Sequence, residues 1–136
     1  LLWEESKIEN LKENNIEFLG RIEDEELWQV YARAKGFLAL AYDEDFGMTV
    51  VEAQAAGTPV LAYFGGGYKE TIIENKTGIF FRKYELKNLI ETIKNFEKKK
   101  FDRKELERNA RKFSREIFKE KILGAIQKLG VRNIYK

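Results

Sequence analysis

The residues of this chain best suited to chemistry are carboxylates on either side of one turn. Asp43, Glu44 and Asp45 follow a short apolar run, and Gly47 separates them from a segment that contains Glu52. A carboxylate can accept hydrogen bonds from two hydroxyl groups at fixed geometry, and it needs no metal ion to do so. The spacing therefore predicts two hydroxyl-binding groups that bracket the turn.

A helix is predicted from Met48 to Ala56, so it begins directly after Gly47. The first amides of a helix have no partner within it, and its dipole places about half a positive charge there. A phosphate bound at this point gains hydrogen bonds without a basic side chain, and Gly47 lets it approach the backbone closely. Because carboxylates repel phosphate, Glu44 and Glu52 are expected to bind sugar hydroxyls on either side of it.

The elements that must position this turn alternate between strand and helix. Apolar runs predict strands near 16–19, 37–41, 59–63 and 79–81, and the run 37–41 is expected to be covered on both faces. Helical spacing predicts a polar helix ending near Asn14 and further helices near 24–34, 48–56, 69–74, 86–96 and 106–113. The expected fold is α/β, a partial doubly wound, Rossmann-like parallel sheet of about four strands with helices on both faces and a helical C-terminus. Ligands bind such sheets at the carboxyl ends of the strands.

Composition limits the chemistry further. The chain has 136 residues, enough for one domain with a core, and it contains neither cysteine nor histidine. Thiolate metal sites, the usual zinc sites and histidine general bases are therefore excluded, and no metal or cofactor is expected. No apolar run approaches the ~20 residues that span a bilayer, which makes a cytoplasmic protein the default expectation.

Charge is distributed unevenly along the chain. Residues 1–98 carry 12 basic and 18 acidic side chains, a net charge of −6, whereas residues 99–136 carry 13 basic and 5 acidic ones, a net charge of +8. A terminal amphipathic helix is predicted over 113–130, and its apolar residues indicate packing against its own domain. Nucleic acid is the less favoured partner because aromatic and glycine residues are not arranged as in RNA-binding sheets, while peripheral contact with an anionic membrane stays open.

Each feature of the turn also has a purely structural explanation. Three acidic residues before a helix are favoured by its dipole in any protein, and Glu52 could simply be solvated. Gly57 could be an ordinary helix C-cap, and the run 65–67 could be no more than a glycine loop. The joint spacing of these features, rather than any one of them, favours a ligand site.

That joint pattern resembles the group 1 retaining GT-B glycosyltransferases, a family that includes sucrose synthases, bacterial mannosyltransferases and glycogen synthases of the bacterial type. Their donor-binding domain carries E-G-F-G, with a second glutamate after seven residues, then E-A-M-A-x-G-x-P-V-V-A and G-G-x-x-E. This chain has E-D-F-G at 44–47, E-A-Q-A-A-G-T-P-V-L-A at 52–62 and G-G-Y-K-E at 66–70. Asp45 replaces the common glycine and Gln54 the common methionine, and E-D-F-G is most like archaeal and bacterial mannosyltransferases.

The resemblance assigns roles to the matching positions. It implies that Glu44 is the catalytic residue and holds a hydroxyl of the donor sugar, and that Glu52 binds the ribose. Glu70 is expected to order the glycine loop. The further implied contacts are the donor sugar at Asp45, Phe46 and Gly47, the diphosphate at Gly47, Met48 and Thr49, and the edge of the nucleobase at Arg21 and Ile22.

The implied activity is transfer of a hexose with retention, from GDP-mannose as first choice or from a UDP-sugar, to a glycan or lipid-linked acceptor. The alternative is a non-catalytic nucleotide-sugar-binding fragment or regulatory module. In the family this domain opens with a G-R strand and a nearby lysine, and an acceptor-binding domain precedes it; neither is found before Leu1. The chain, residues 1–136, is therefore expected to be a C-terminal donor domain without its first strands, inactive alone and completed by the N-terminal domain or by a homo-oligomer.

Overall fold

The computed structural model describes residues 15–129, which form a parallel three-stranded sheet with helices on both faces. The α/β class and the helical C-terminal part are confirmed. The predicted helix ending near Asn14 lies outside the described residues. The elements are α1 (Asp24–Arg33), β1 (Phe37–Ala39), α2 (Met48–Ala55), β2 (Val60–Tyr63), α3 (Tyr68–Thr71), β3 (Gly78–Phe81), α4 (Leu86–Glu97), α5 (Arg103–Arg111) and α6 (Arg115–Lys128).

The sheet has the order β1-β2-β3, and its register puts small residues where α2 crosses it. Ala39 pairs with Ala62, which pairs with Phe80 on the other side. All three are buried in one core with Val50 and Ala53 of α2. Alanines at these positions let the helix backbone lie close to the strands, so α2 begins at the carboxyl end of β1.

The opposite face of the sheet is covered by α4. Leu61 of β2 is buried there, and it faces Ile93 and Phe96 of α4. A cavity of about 510 Å³ remains between them and extends to Leu38 of β1. The apolar stripe predicted for α4 from its helical spacing therefore does face the sheet.

A buried polar network joins α2, α3 and α5. The side chain of Gln54 donates to the backbone oxygen of Thr71 over 2.9 Å. Asn109 of α5 donates from Nδ2 to Gln54 Oε1 and to the same Thr71 oxygen, each at 2.8 Å. All three residues are buried, and no buried side-chain nitrogen or oxygen among the described residues is left without a partner. Gln54, which departs from the family pattern, thus has a structural partner in Asn109.

Two strand predictions were wrong. Residues 16–20 form no strand and are exposed, because a strand needs a neighbouring strand for its backbone hydrogen bonds and no described strand lies beside them. The sheet of the described part accordingly has three strands rather than about four. β1 was expected to be covered on both faces, but Leu38 is 50% exposed because β1 is an edge strand here and α4 packs on β2 and β3.

The terminal helix also differs from expectation. The predicted helix 113–130 corresponds to α6, which Ser114 caps by accepting a hydrogen bond from the Ile117 amide over 3.4 Å. The expected packing of this helix against its own domain was wrong, since α6 contains no buried residue and Phe118 is 64% exposed. Ile117 and Ile126 are half-buried, whereas Ile122 and Leu123 are exposed, and α5 rather than α6 covers α2.

Within residues 15–129, no helix combines the length and the apolar character needed to cross a membrane.

Replacing Asn109 by alanine is expected to lower the free energy of unfolding by about 1–3 kcal/mol, because Gln54 Oε1 would lose its only protein donor among the described residues. Urea denaturation followed by circular dichroism measures this. Asn95, exposed on α4, provides the control, and Asn95→Ala should change stability by no more than about 0.5 kcal/mol. Equal stability of the two variants would show that the network is not structural.

Candidate functional site

The acidic loop, residues 43–47, lies directly against the glycine loop, residues 65–67. The Gly67 amide donates to the backbone oxygen of Glu44 over 2.7 Å. A Cβ atom on Gly66 would overlap that same oxygen, and one on Gly67 would overlap the backbone of Asp45 and Phe46. Any larger residue would push the two loops apart. The glycines are therefore more than a flexible connection, because they fix the backbone that carries Glu44.

The side chain of Glu44 is braced by its own loop. Its Oε1 accepts a hydrogen bond from the Gly47 amide over 3.1 Å, and its Oε2 has no donor among the described residues. Gly47 has φ +83°, and a Cβ there would approach the Tyr68 ring to 2.8 Å. Glu44 is half-buried, so Oε2 remains available to a hydroxyl group.

The start of α2 presents two amides without partners. Val50 and Val51 donate to the Gly47 oxygen over 3.0 and 3.3 Å. Met48 and Thr49 are exposed, and their amides have no acceptor in the part of the chain that the structure describes. The third residue assigned to the diphosphate, Gly47, differs because its amide already donates to Glu44. An anion at this end of α2 would meet two N–H groups and the helix dipole.

Glu52 lies one turn further along α2 and contacts Tyr31 of α1. The Tyr31 hydroxyl donates to Glu52 Oε2 over 3.5 Å, and the Thr58 hydroxyl donates to the backbone oxygen of Tyr31. Burial and, second, the charge of Glu52 raise the pKa of the Tyr31 hydroxyl above its ordinary value. The hydroxyl therefore stays protonated and can orient the carboxylate. Sequence reasoning missed this role, because Tyr31 falls at a core position of the α1 pattern.

Two cavities open beside Glu52, and Trp28 lines both. The smaller, about 220 Å³, lies between α1 and α2, and the larger, about 380 Å³, extends to Arg111 of α5. The residues assigned to the nucleobase edge are not brought into either cavity. Arg21 is exposed and Ile22 half-buried in the turn before α1, two or three residues from the wall residue Asp24.

A third cavity, of about 560 Å³, adjoins the start of α2 on the other side. Its wall includes Phe46 and Met48, and Phe46 meets Phe113 edge to face at a centroid distance of 5.5 Å. The charged residues of this wall are three basic ones, Lys112, Arg115 and Lys121, and one acidic one, Glu70. The cavity thus puts positive charge beside the α2 amides.

Among residues 15–129, no group of three or more metal-binding side chains is found.

An aromatic cluster occupies the carboxyl ends of the strands. Tyr42 follows β1, Tyr63 ends β2 and Tyr84 follows β3, where the Tyr84 hydroxyl donates to the Leu40 oxygen over 2.7 Å. Tyr42 and Tyr63 stack at 4.9 Å. Sequence reasoning missed this cluster, although a tyrosine at or just after the end of each of three parallel strands is a signal that could have revealed it.

Comparison with known proteins identifies the family of the chain. Residues 3–113 match the family model of the glycosyl transferases group 1. The chain belongs to this family. It is 34% identical over 115 residues to sucrose synthase isoform 1 of Daucus carota, a match covering 77% of this chain and 14% of that protein. It is 31% identical over 134 residues to an uncharacterized glycosyltransferase of Methanocaldococcus jannaschii, covering 96% of this chain and 37% of the relative.

A solved structure has the same fold. Sucrose-phosphate synthase from Thermosynechococcus elongatus superposes with a TM-score of 0.71 and 27% sequence identity, over 91% of this chain and 34% of that one. The chain thus spans from about a seventh to about a third of the length of these relatives. The similarity to a group 1 glycosyltransferase is confirmed, and none of these relatives is named for mannose.

The two carboxylates of the site can be located by tyrosine titration. Burial and, second, Glu52 raise the pKa of Tyr31, while burial and, second, Glu44 raise the pKa of Tyr68. Because an ionised tyrosine is repelled by a carboxylate, Glu52→Gln should lower the pKa of Tyr31. It should stay above its ordinary value, since burial is the larger cause. Titration of the tyrosine Cζ resonances by NMR measures it.

Glu44→Gln provides the reciprocal control. It should lower the pKa of Tyr68 and leave that of Tyr31 unchanged, because Glu44 is not among the groups that shift Tyr31. If either substitution changed the pKa of both tyrosines equally, each carboxylate would act on both tyrosines, contrary to the geometry described above.

Proposed function

We propose that this chain recognises the donor of a retaining hexosyltransferase, a nucleotide sugar, along the start of α2. The observation that supports the proposal most directly is the order of groups there. Glu44 precedes the Met48 and Thr49 amides, which have no described acceptor, and Glu52 follows them by one turn. A hexose, a diphosphate and a ribose follow one another in the same order in a nucleotide sugar.

The proposed contacts follow from what each group has left to offer. Oε2 of Glu44 accepts from a hexose hydroxyl, because Oε1 is already bound to the Gly47 amide. The amides of Met48 and Thr49 donate to the diphosphate, and Glu52, oriented by Tyr31, accepts from the ribose hydroxyls. Asp45 and Phe46, which belong to the acidic loop, lie next to the hexose. The amide of Gly47 does not contact the donor, because it donates to Glu44.

The reaction proposed is displacement of the diphosphate by an acceptor hydroxyl on the same face of the sugar. The bond between the anomeric carbon and the diphosphate oxygen breaks, and the acceptor oxygen forms a new bond to that carbon. The proton of the acceptor hydroxyl passes to the departing diphosphate oxygen. Negative charge develops on the departing diphosphate, where the α2 amides and dipole are already oriented toward it. Lys112 and Arg115, which share a cavity with Met48, add positive charge nearby.

GDP-mannose is the donor proposed first, on the E-D-F-G motif, and a UDP-sugar second, for which UDP-glucose is the test compound. Relatives that match parts of this chain carry names that refer to sucrose and to D-inositol 3-phosphate, so the test must include more than one donor. The proposed acceptor is a glycan or a lipid-linked sugar. Contact of α6 with an anionic membrane belongs to the same proposal, supported by the exposed Phe118 and the basic residues beside it.

Titration calorimetry with GDP-mannose, UDP-glucose and GDP tests donor recognition. Glu44→Gln should weaken binding of the preferred nucleotide sugar by about tenfold, the loss of one charge-assisted hydrogen bond, and leave GDP unchanged. Glu52→Gln should weaken nucleotide sugar and GDP alike, because the ribose is common to both.

Asp43→Asn provides the matched control, since Asp43 is an exposed carboxylate one residue from Glu44. It should bind all three nucleotides as the wild type does. If nucleotide sugars bind no more tightly than GDP, Glu44 does not read a sugar. Binding of donor without transfer, in a chain joined to an acceptor domain, would favour the alternative of a non-catalytic nucleotide-sugar-binding module.

A further inference from the structure

The aromatic cluster at the carboxyl ends of the strands has a defined geometry. The ring centroids of Tyr42, Tyr63 and Tyr84 are 4.9, 5.4 and 5.6 Å apart, so they form a nearly equilateral triangle. Tyr42 and Tyr63 are stacked at 22°, and Tyr84 is perpendicular to both at 82°. The outer face of Tyr42 is the one turned away from Tyr63. A ring stacked on that face would lie about twice the Tyr42–Tyr63 distance from Tyr63, whereas Tyr84 is only 5.4 Å from Tyr63, so Tyr84 lies beside the stack.

One face of Tyr42 is therefore uncovered by the cluster. Tyr63 covers the inner face, and Tyr42 is nevertheless 63% exposed. Tyr84 is 58% exposed, and its hydrogen bond to the Leu40 oxygen fixes the direction of its ring. The two exposed rings form an aromatic surface that is held by the stacking of Tyr42 on Tyr63 and by this hydrogen bond. A rigid tyrosine surface costs little conformational entropy when it binds a ligand.

This surface is adjacent to the acidic loop. Tyr42 is two residues before Glu44, so their Cα atoms lie within about 7 Å of each other. The glycine loop connects the two features, because a Cβ on Gly65 would approach the Tyr63 ring to 2.8 Å and the Tyr42 backbone oxygen to 2.9 Å. The loop that fixes Glu44 thus also fixes the rings.

The proposed order of the donor along α2 decides what could lie on these rings. The hexose is proposed at Glu44 and the ribose at Glu52, so the nucleobase must lie beyond Glu52, near Trp28 and Tyr31. Tyr42 is at the opposite end, beyond the hexose. The molecule that meets the donor hexose from that side is the acceptor.

We propose that Tyr42 and Tyr84 form a stacking platform for a pyranose ring of the acceptor. The inference rests on the proposed function and assigns to this domain a part of acceptor recognition. A pyranose has an apolar face of C–H groups and a rim of hydroxyls, and an exposed tyrosine offers an apolar ring face and a polar edge.

Saturation-transfer difference NMR on the whole chain tests this, with maltotriose and methyl α-D-mannopyranoside as probes and glycerol as a polyol without a ring. Saturation should reach the ring C–H protons of the pyranosides in the wild type. Tyr42→Ala and Tyr42→Leu should reduce it at least about fivefold, an effect of about 1 kcal/mol, whereas Tyr42→Phe should retain it. Tyr42→Leu keeps apolar volume without an aromatic face, so it remains informative if the alanine variant is unstable.

Phe118→Ala, which removes an equally exposed ring from α6, should leave the signal unchanged. Asp43→Asn should also leave it unchanged, because Asp43 is an exposed carboxylate next to Tyr42 in the chain and has no proposed role in binding. Equal transfer to wild type and Tyr42→Leu, or none from the wild type, would overturn the platform. Calorimetry with GDP-mannose and UDP-glucose on the same samples separates the two proposals. If a nucleotide sugar binds but pyranoside binding does not depend on Tyr42, only the platform fails. If neither nucleotide sugar binds, the acceptor assignment fails together with the proposed function.

Discussion

The contact between two backbones, the glycine loop 65–67 and the acidic loop 43–47, governs the rest of the site. The Gly67 amide binds the Glu44 oxygen, and neither Gly66 nor Gly67 has room for a side chain. This contact fixes the path of the chain from β1 into α2. Glu44, the two amides at the start of α2 and the ring of Tyr42 all take their positions from it. The contact covers only a few residues, but it joins the loop that follows β1 to the loop that follows β2.

The core makes this contact possible by holding α2 close to the sheet. Ala39 and Ala62 allow the approach, and the network of Gln54, Thr71 and Asn109 ties α2 to α3 and α5. The two carboxylates are then held by different means. Glu44 is braced by the amide of Gly47, whereas Glu52 is oriented by the buried, protonated Tyr31. One is a rigid part of a loop, and the other is a side chain on a helix next to cavities.

The sequence predicted the features that depend on local spacing. Periodicity predicted the alternation of strands and helices, and helix-end chemistry predicted that α2 begins after Gly47. The same spacing placed Glu44 before the first amides of α2 and Glu52 one turn after them. The motifs around Glu44 and Glu52 predicted the family. Features that depend on distant contacts were missed. A strand near Ile16 was expected from its apolar residues, yet a strand forms only beside a partner.

Other misses have the same origin. The packing of α6 was inferred from its apolar residues alone, which do not show whether a partner surface exists. Tyr31 and Asn109 belong to ordinary helical patterns, and only the fold brings them to Glu52 and Gln54. The tyrosines after the strands were informative in combination, because parallel strands bring their carboxyl ends to one edge.

The most direct measurement compares two glycine substitutions for binding of GDP-mannose and UDP-glucose by calorimetry. Gly66→Ala places a methyl group against the Glu44 backbone, whereas Gly124→Ala adds one to α6, where nothing lies within 4 Å. We expect Gly66→Ala to stay folded by circular dichroism but to lose at least about tenfold in affinity for the nucleotide sugar that binds. Gly124→Ala should bind as the wild type does. A folded Gly66→Ala variant with wild-type affinity would contradict the claim that the glycine loop positions the site.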